Sequence, residues 1–186
     1  MYAVRAYKIL KTYDRRKFLT NEPQRKVLDN ISVDIIEKEF LGIMGESGCG
    51  KTTLLKILET IDKPTSGTIE CFGFDLKKLS NENVAKIRRQ RIGFVFQDYT
   101  LSGGEKQRIA IMRALMNNPD LILADEPTGN LDSSSALKVM DILKNINKRY
   151  GKTIVVVTHD INVAQNCKRV ITINNGSIDG SPLDNE

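Results

Sequence analysis

The apolar run Phe40-Leu41-Gly42-Ile43-Met44 gives way at once to Gly45-Glu46-Ser47-Gly48-Cys49-Gly50-Lys51-Thr52, and that loop opens onto the leucine-rich stretch Lys51 to Ile61. Nothing else in the chain restricts its fold as much. Five consecutive apolar residues bounded by glycine suit a strand buried on both faces, and Leu54, Leu55, Leu58 and Ile61 recur at helical spacing. A strand therefore feeds a glycine-rich loop that feeds a helix. The glycines let the backbone curl so that successive N–H groups point inward at a helix N-terminus, which makes a nest for an anion. Lys51 adds a point charge for β- and γ-phosphates, and the Thr52 hydroxyl suits magnesium, which keeps several waters and also takes phosphate oxygens.

The loop fits the Walker A pattern of a P-loop nucleotide site, with Gly45, Ser47, Gly48, Cys49, Gly50, Lys51, Thr52 and Thr53 as its nucleotide-binding residues. Within it Cys49 stands at a variable position and reads as a bystander. The rest of the chain supplies a matching framework. Ile92 to Phe96, Leu121 to Ala124 and Thr153 to Val157 are further runs typical of doubly buried strands, separated by helix patterns such as Gly104 to Asn117. Ala136, Met140 and Leu143, flanked by Val139 and Ile146, form another helical stripe, with Ser133 to Ser135 as the expected cap. Alternation of this kind predicts an α/β fold: a parallel sheet flanked by helices, with right-handed crossovers. Ile31, Val33 and Ile35 alternate with polar residues, as do Ile69 and Cys71, so a small antiparallel side sheet is expected beside the parallel core. The polar stretch from Asp14 to Lys26, which contains Pro23, reads as an exposed loop.

Composition fits one domain over residues 1–186. No apolar run approaches the ~20 residues that span a bilayer, and Arg5, Lys8 and Lys11 interrupt the N-terminal apolar residues, so contact with a membrane is expected to go through a partner. Cys49, Cys71 and Cys167 are odd in number and lack metal-like spacing, which predicts free thiols. The net charge of +5 is spread out apart from small knots at Arg15-Arg16-Lys17 and Arg88-Arg89-Arg91, so no specific nucleic acid is expected as a partner.

Leu121-Ile122-Leu123-Ala124-Asp125-Glu126-Pro127 is a strand that ends in two acids. Ligands of a parallel sheet gather at the C-terminal strand ends, so both acids can face the loop. Asp125 is the expected magnesium partner, and Glu126, one residue further on, the group that orients and deprotonates the attacking water. His159, the single histidine, also ends an apolar strand, where it can reach a γ-phosphate.

Leu101-Ser102-Gly103-Gly104-Glu105-Lys106-Gln107-Arg108 resembles the signature sequence of ABC ATPases. Other elements then match the family in order along nearly the whole chain. Tyr13 resembles the aromatic that stacks on adenine, and Gln97 the Q-loop glutamine that senses magnesium and the attacking water. Gly129-Asn130-Leu131-Asp132 resembles the D-loop, and His159 the switch histidine. Asp125 to Asp132 is similar to the macrolide, lipoprotein and antimicrobial-peptide exporter group and its cell-division relative. The resemblance implies a transport-coupled ATPase with ATP and Mg2+ as cofactors. Lys51, Gln97, Glu126 and His159 would be its catalytic residues. Thr52, Gln97 and Asp125 would serve the metal, and Tyr13, Ser102, Gly103, Gly104 and Asp132 would join the loop in holding nucleotide. It also implies an ATP-induced homodimer or pseudo-dimer, an integral membrane permease as partner, and a cytoplasmic position on the inner face of the membrane. The alternative is a regulatory or soluble ABC-type ATPase linked to signalling, the cell wall, DNA or ribosomes.

The sequence departs from the family pattern in one place. Only Asp98, Tyr99 and Thr100 separate Gln97 from Leu101, where the family inserts a complete helical subdomain. Five residue steps from Gln97 to Ser102 reach at most about 17–18 Å, which would hold the signature near its own phosphate loop and away from an opposing subunit. The expectation is that the parent protein carries the segment missing between Thr100 and Leu101. A protein whose measured mass is near 20.9 kDa would contradict that.

Overall fold

The computed structural model describes residues 1–13, 25–96 and 104–184. Its six-stranded sheet runs in the order β10(Ser177–Asp184), β9(Arg169–Asn174), β3(Phe40–Met44), β8(Thr153–Thr158), β7(Leu121–Asp125), β6(Ile92–Val95). All neighbours are parallel except β10, which pairs antiparallel with β9. A second, four-stranded antiparallel sheet has the order β2(Arg25–Ile36), β1(Tyr2–Tyr13), β4(Ser66–Cys71), β5(Phe74–Asp75). Among the described residues, five α-helices and a short 3-10 turn over Leu76–Lys78 complete the fold: α1(Lys51–Leu58), α2(Asn81–Arg91), α3(Gly104–Leu115), α4(Ser133–Tyr150) and α5(Ile161–Ala164). None of the described helices is long and apolar enough to cross a membrane.

The pleat of the parallel strands explains their unbroken apolar runs, because alternate side chains enter two separate cores. Leu41 and Ile43 of β3, Leu121 and Leu123 of β7, and Val155 and Val157 of β8 pack with α1 and the antiparallel sheet. Phe40, Ile122, Ala124, Ile154 and Val156 face the other way, onto α3, α4 and α5. Each fully buried branched side chain contributes about 1.5–3 kcal/mol by leaving water. The order places β3 beside β8 and β8 beside β7, so the loop after Met44, the acids after Ala124 and the residues after Thr158 emerge at one edge.

Several boundaries differ from the sequence expectations. Arg25 and Lys26 belong to β2, not to a loop, and Asp14–Gln24 lies outside the described residues. β1 was not anticipated as a strand. Its Lys11 is buried through an ion pair with Asp62 at 2.5 Å, and Lys8 adopts φ +49 where the pairing register shifts. α1 stops at Leu58 because Thr60 turns left-handed (φ +64) and the N–H groups of Ile61 and Asp62 fold back onto the Lys56 carbonyl. The cap of α4 is Asp132. Its carboxylate accepts from the backbone N–H groups of Ser134 and Ser135, both at 3.0 Å, so Ser133 to Ser135 lie inside the helix. A carboxylate fits this place because it accepts several donors at once. All three cysteines are free.

Candidate active site

The phosphate loop is held in shape by its own lysine. Lys51 is 6% exposed, and its ammonium donates to the carbonyls of Gly45 and Glu46, both at 2.7 Å. α1 opens at Gly50 (φ 112) with no side-chain cap and no acid in its first turn. The helix end thus keeps N–H groups and a positive dipole end for a ligand. A Cβ on Gly45 would stand 2.3 Å from the Ile173 carbonyl oxygen, and one on Gly50 2.7 Å from that of Val27. The loop therefore runs too close to the strands behind it for any side chain at those two positions. The half-buried Cys49 thiol packs against the core that α1 shares with the antiparallel sheet.

In front of the loop lies a cleft of about 840 Å³. Asp125, Glu126 and His159 line it together with Gly45, Ser47, Gly48, Lys51 and Thr52. Burial pushes the Asp125 carboxyl above its ordinary value, against the opposing pull of a hydrogen bond with Thr52, and the neighbouring Glu126 charge pushes it further up. One of its oxygens, Oδ1, is buried without a hydrogen-bond partner among the described residues. An orphaned carboxylate oxygen beside a hydroxyl is a donor set that suits a hard cation with several waters, so Thr52 and Asp125 fit magnesium.

Glu126 leaves the strand by a left-handed turn (φ +46), fixed where its N–H donates to the Val157 carbonyl at 2.9 Å and its carbonyl accepts from Gly129 at 3.1 Å. That conformation costs a non-glycine residue roughly 1–2 kcal/mol. It carries the carboxylate across to His159, whose Nδ1 is 2.7 Å from Oε1 and 2.6 Å from Oε2. The carboxylate is 16% exposed and the imidazole 64%.

Tyr13 lies at the end of β1, outside this cleft. Its ring is 42% exposed, its hydroxyl donates to Asp62 at 2.7 Å, and the Lys11 ammonium sits 4.8 Å over the ring. Burial and the Asp62 carboxylate both raise its pKa, while a hydrogen bond with Thr53 lowers it. Thr53 also lines a smaller cavity of about 120 Å³ with Val27, Gly48 and Thr52. Asp132 points into its cap, where bonds to Ser135 and Ser134 hold its carboxyl well below the usual carboxylate range. Gln97, Ser102 and Gly103 lie outside the described residues, and Gly104 opens α3. Met44, Phe96 and Thr172 also line the main cleft, and the sequence reading gave none of them a role. Phe96 could have been found, since it follows a strand that ends at the cleft's edge.

The sequence profile of the ABC transporter family matches residues 28–101 and 97–129. The chain is 38% identical to the uncharacterized ABC transporter ATP-binding protein MJ0796 of Methanocaldococcus jannaschii, with 82% of this chain and 87% of that protein aligned. It is 35% identical to the lipoprotein-releasing system ATP-binding protein LolD 1 of Caulobacter vibrioides, over 90% of this chain and 92% of that one. It is 39% identical to the macrolide export ATP-binding/permease protein MacB of Campylobacter jejuni over 85% of this chain, and spans 32% of that longer protein. Among solved structures, dimeric MJ0796 bound to ADP and Pi superposes with a TM-score of 0.88 at 34% identity, covering 98% of this chain and 99% of that one. A nucleotide loop, two acids and a histidine at one sheet edge, together with these relatives, place the chain in the ABC transporter family, as one of its ATP-binding ATPase subunits.

Proposed function

We propose that the chain binds magnesium-ATP, hydrolyses it in a head-to-tail pair of such subunits, and so drives an integral membrane permease from the cytoplasmic face. The observation that carries this reading is the convergence of Lys51, Asp125, Glu126 and His159 on one cleft in front of a glycine-rich helix start. The loop N–H groups and Lys51 grip the triphosphate, with the ammonium exchanging its two loop carbonyls for phosphate oxygens. Glu126 stands where it can orient and deprotonate water, and His159 holds Glu126 in place and offers a contact for the γ-phosphate. Thr52 and Asp125 would hold the magnesium, which would neutralise phosphate charge. Tyr13 stacks on the adenine, and Asp132 joins the loop in holding the nucleotide beside its capping role.

Pairing is supported by the dimeric state of MJ0796 with ADP and Pi, and the permease by the joined ATP-binding and permease parts named for MacB. Within the pair, ATP favours the closed state and its hydrolysis releases it, which is how the cycle moves a membrane partner.

The single-domain reading goes with a helical segment between Thr100 and Leu101 in the parent protein. In its support, the family profile meets the chain in two pieces that overlap at residues 97–101. The alignment with MJ0796 runs over 204 positions but takes in 82% of the chain's 186 residues, about 153, leaving about fifty positions without a counterpart.

Calorimetry with magnesium-ATP tests the core of the proposal. Saturable binding that Lys51→Ala weakens at least tenfold is the expected result. No heat of binding, or equal heats for both proteins, overturns it. Co-purification of a polytopic membrane subunit is expected; ribosomes, DNA or a signalling protein in its place would overturn the transport assignment.

A further inference from the structure

The turn joining β9 to β10 touches the phosphate loop from behind. Asn175 (φ +47) and Gly176 (φ +80) both lie in the left-handed region, as a tight two-residue hairpin turn requires. The Gly176 N–H donates to the Cys49 carbonyl at 3.1 Å, and the Gly176 carbonyl accepts from the Asp29 N–H at 2.7 Å. The Ser177 hydroxyl donates to the Asp29 carbonyl at 3.3 Å. The turn is thus bonded on one side to β2 and on the other to the middle of the phosphate loop. There is no room to loosen this arrangement, since a Cβ on Gly176 would meet the Val27 carbonyl oxygen at 2.6 Å.

This contact has a chemical logic. A loop that reserves its N–H groups for phosphate must be fixed in place by its carbonyls. The Gly45 and Glu46 carbonyls are held by Lys51, which phosphate draws away, and Glu46 also accepts from the Cys49 N–H at 3.3 Å, a bond inside the loop itself; the bond from Gly176 to the Cys49 carbonyl ties the loop to a separate element. We propose that Gly176 is a positioning residue for nucleotide binding: its N–H and its lack of a side chain set where the amides around Cys49 point. The inference rests on the reading of the loop as a phosphate site.

The test compares Gly176→Ala with Gly73→Ala in the whole chain. Gly73 has nearly the same φ, +81, in the β4–β5 turn, but a Cβ there meets nothing within 4 Å. Both variants carry the same left-handed strain, and only Gly176→Ala meets a neighbour, the Val27 backbone of β2, at the residue that bonds the loop. Gly176→Ala is expected to weaken magnesium-ADP binding at least tenfold and to shift the 31P resonance of the bound β-phosphate. Gly73→Ala is expected to bind within twofold of the unaltered protein with that resonance unmoved. Replacing the Gly176 peptide nitrogen by an ester oxygen removes the donor and adds no atom, so it serves if Gly176→Ala fails to fold. It is expected to weaken binding about fivefold. Equal effects of the two alanine variants, or an ester form that binds normally, overturn the proposal. Failure of the unaltered chain to bind magnesium-ADP would instead overturn the phosphate-site reading itself.

Discussion

The His159 imidazole and the Glu126 carboxylate meet across the mouth of the cleft, with Nδ1 within 2.6–2.7 Å of both carboxylate oxygens. The two residues are 33 apart in sequence and arrive from the ends of adjacent parallel strands. A half-turn of strained backbone brings Glu126 to this position, and the pairing explains why the strain persists: it aims a carboxylate at the space in front of Lys51.

Glu126→Gln preserves shape and removes the carboxylate proposed as the base. Turnover should fall about 10²–10³-fold while ATP affinity changes less than threefold. Single-turnover phosphate release alongside equilibrium nucleotide binding checks both halves. A variant that keeps a tenth of normal turnover would remove Glu126 from the chemistry.

Asp125→Asn keeps a polar side chain but loses the charge that suits magnesium. In the unaltered protein, chelating magnesium should weaken ATP binding markedly. In the variant, binding with magnesium should already be weak, and chelation should change it little. Titrations in the presence and absence of EDTA give the answer, and an undiminished magnesium response in the variant would contradict the assignment.

Glu59 closes α1 at the end opposite the phosphate loop. Burial pushes its carboxyl up from 4.5 to about 7, only partly offset by Arg88 and Lys56. The folded state therefore holds a proton that the unfolded chain releases between about pH 4.5 and 7. The associated stability is full below that window and is lost as pH rises through it. Glu59→Gln should melt higher than the unaltered protein at pH 8, with the difference shrinking towards pH 5. Melting curves across this range that stay parallel would refute it.

Asn147 is 5% exposed, and its amide donates to the Lys38, Glu39 and Lys152 carbonyls at 2.9, 3.3 and 2.8 Å. Asn147→Ala leaves the Lys38 and Lys152 carbonyls without this donor, while Glu39 keeps the Ile154 N–H at 2.8 Å, and the loss costs about 2–3 kcal/mol. Urea unfolding should show a lower midpoint at unchanged slope. Asn145→Ala, on the exposed side of the same helix, should fall within about 0.5 kcal/mol of the unaltered protein.

The sequence was most legible where one local pattern carries the physics. Residues 40–44, 121–125 and 153–158 are strands buried on both faces, so they read as continuous apolar runs. The loop and its acids are marked by residue type and by their place at strand ends. What stayed hidden depends on distant partners. β1 is masked by Lys11, whose burial makes sense only beside Asp62. α2 has no buried residue to give it a stripe. Ser133 to Ser135 read as the cap of α4, and only the geometry gives that place to Asp132. Asn147 and Gly176 look like ordinary polar and turn residues until the carbonyls they serve arrive from elsewhere in the chain.

α4 links two of these places. Its 18 residues make a rod of about 27 Å. One tip is seated at Asp132, just past the turn that begins at Glu126, and the far end is riveted by Asn147 to the strand entrances at Lys38–Glu39 and Lys152. Asp132 bonds within its own helix, so it is the Asn147 end that is tied by side chain to other elements. Between those ends Val139, Met140, Leu143 and Ile146 are buried against the sheet, so one packed rod runs from the edge that carries Glu126 to the opposite rim.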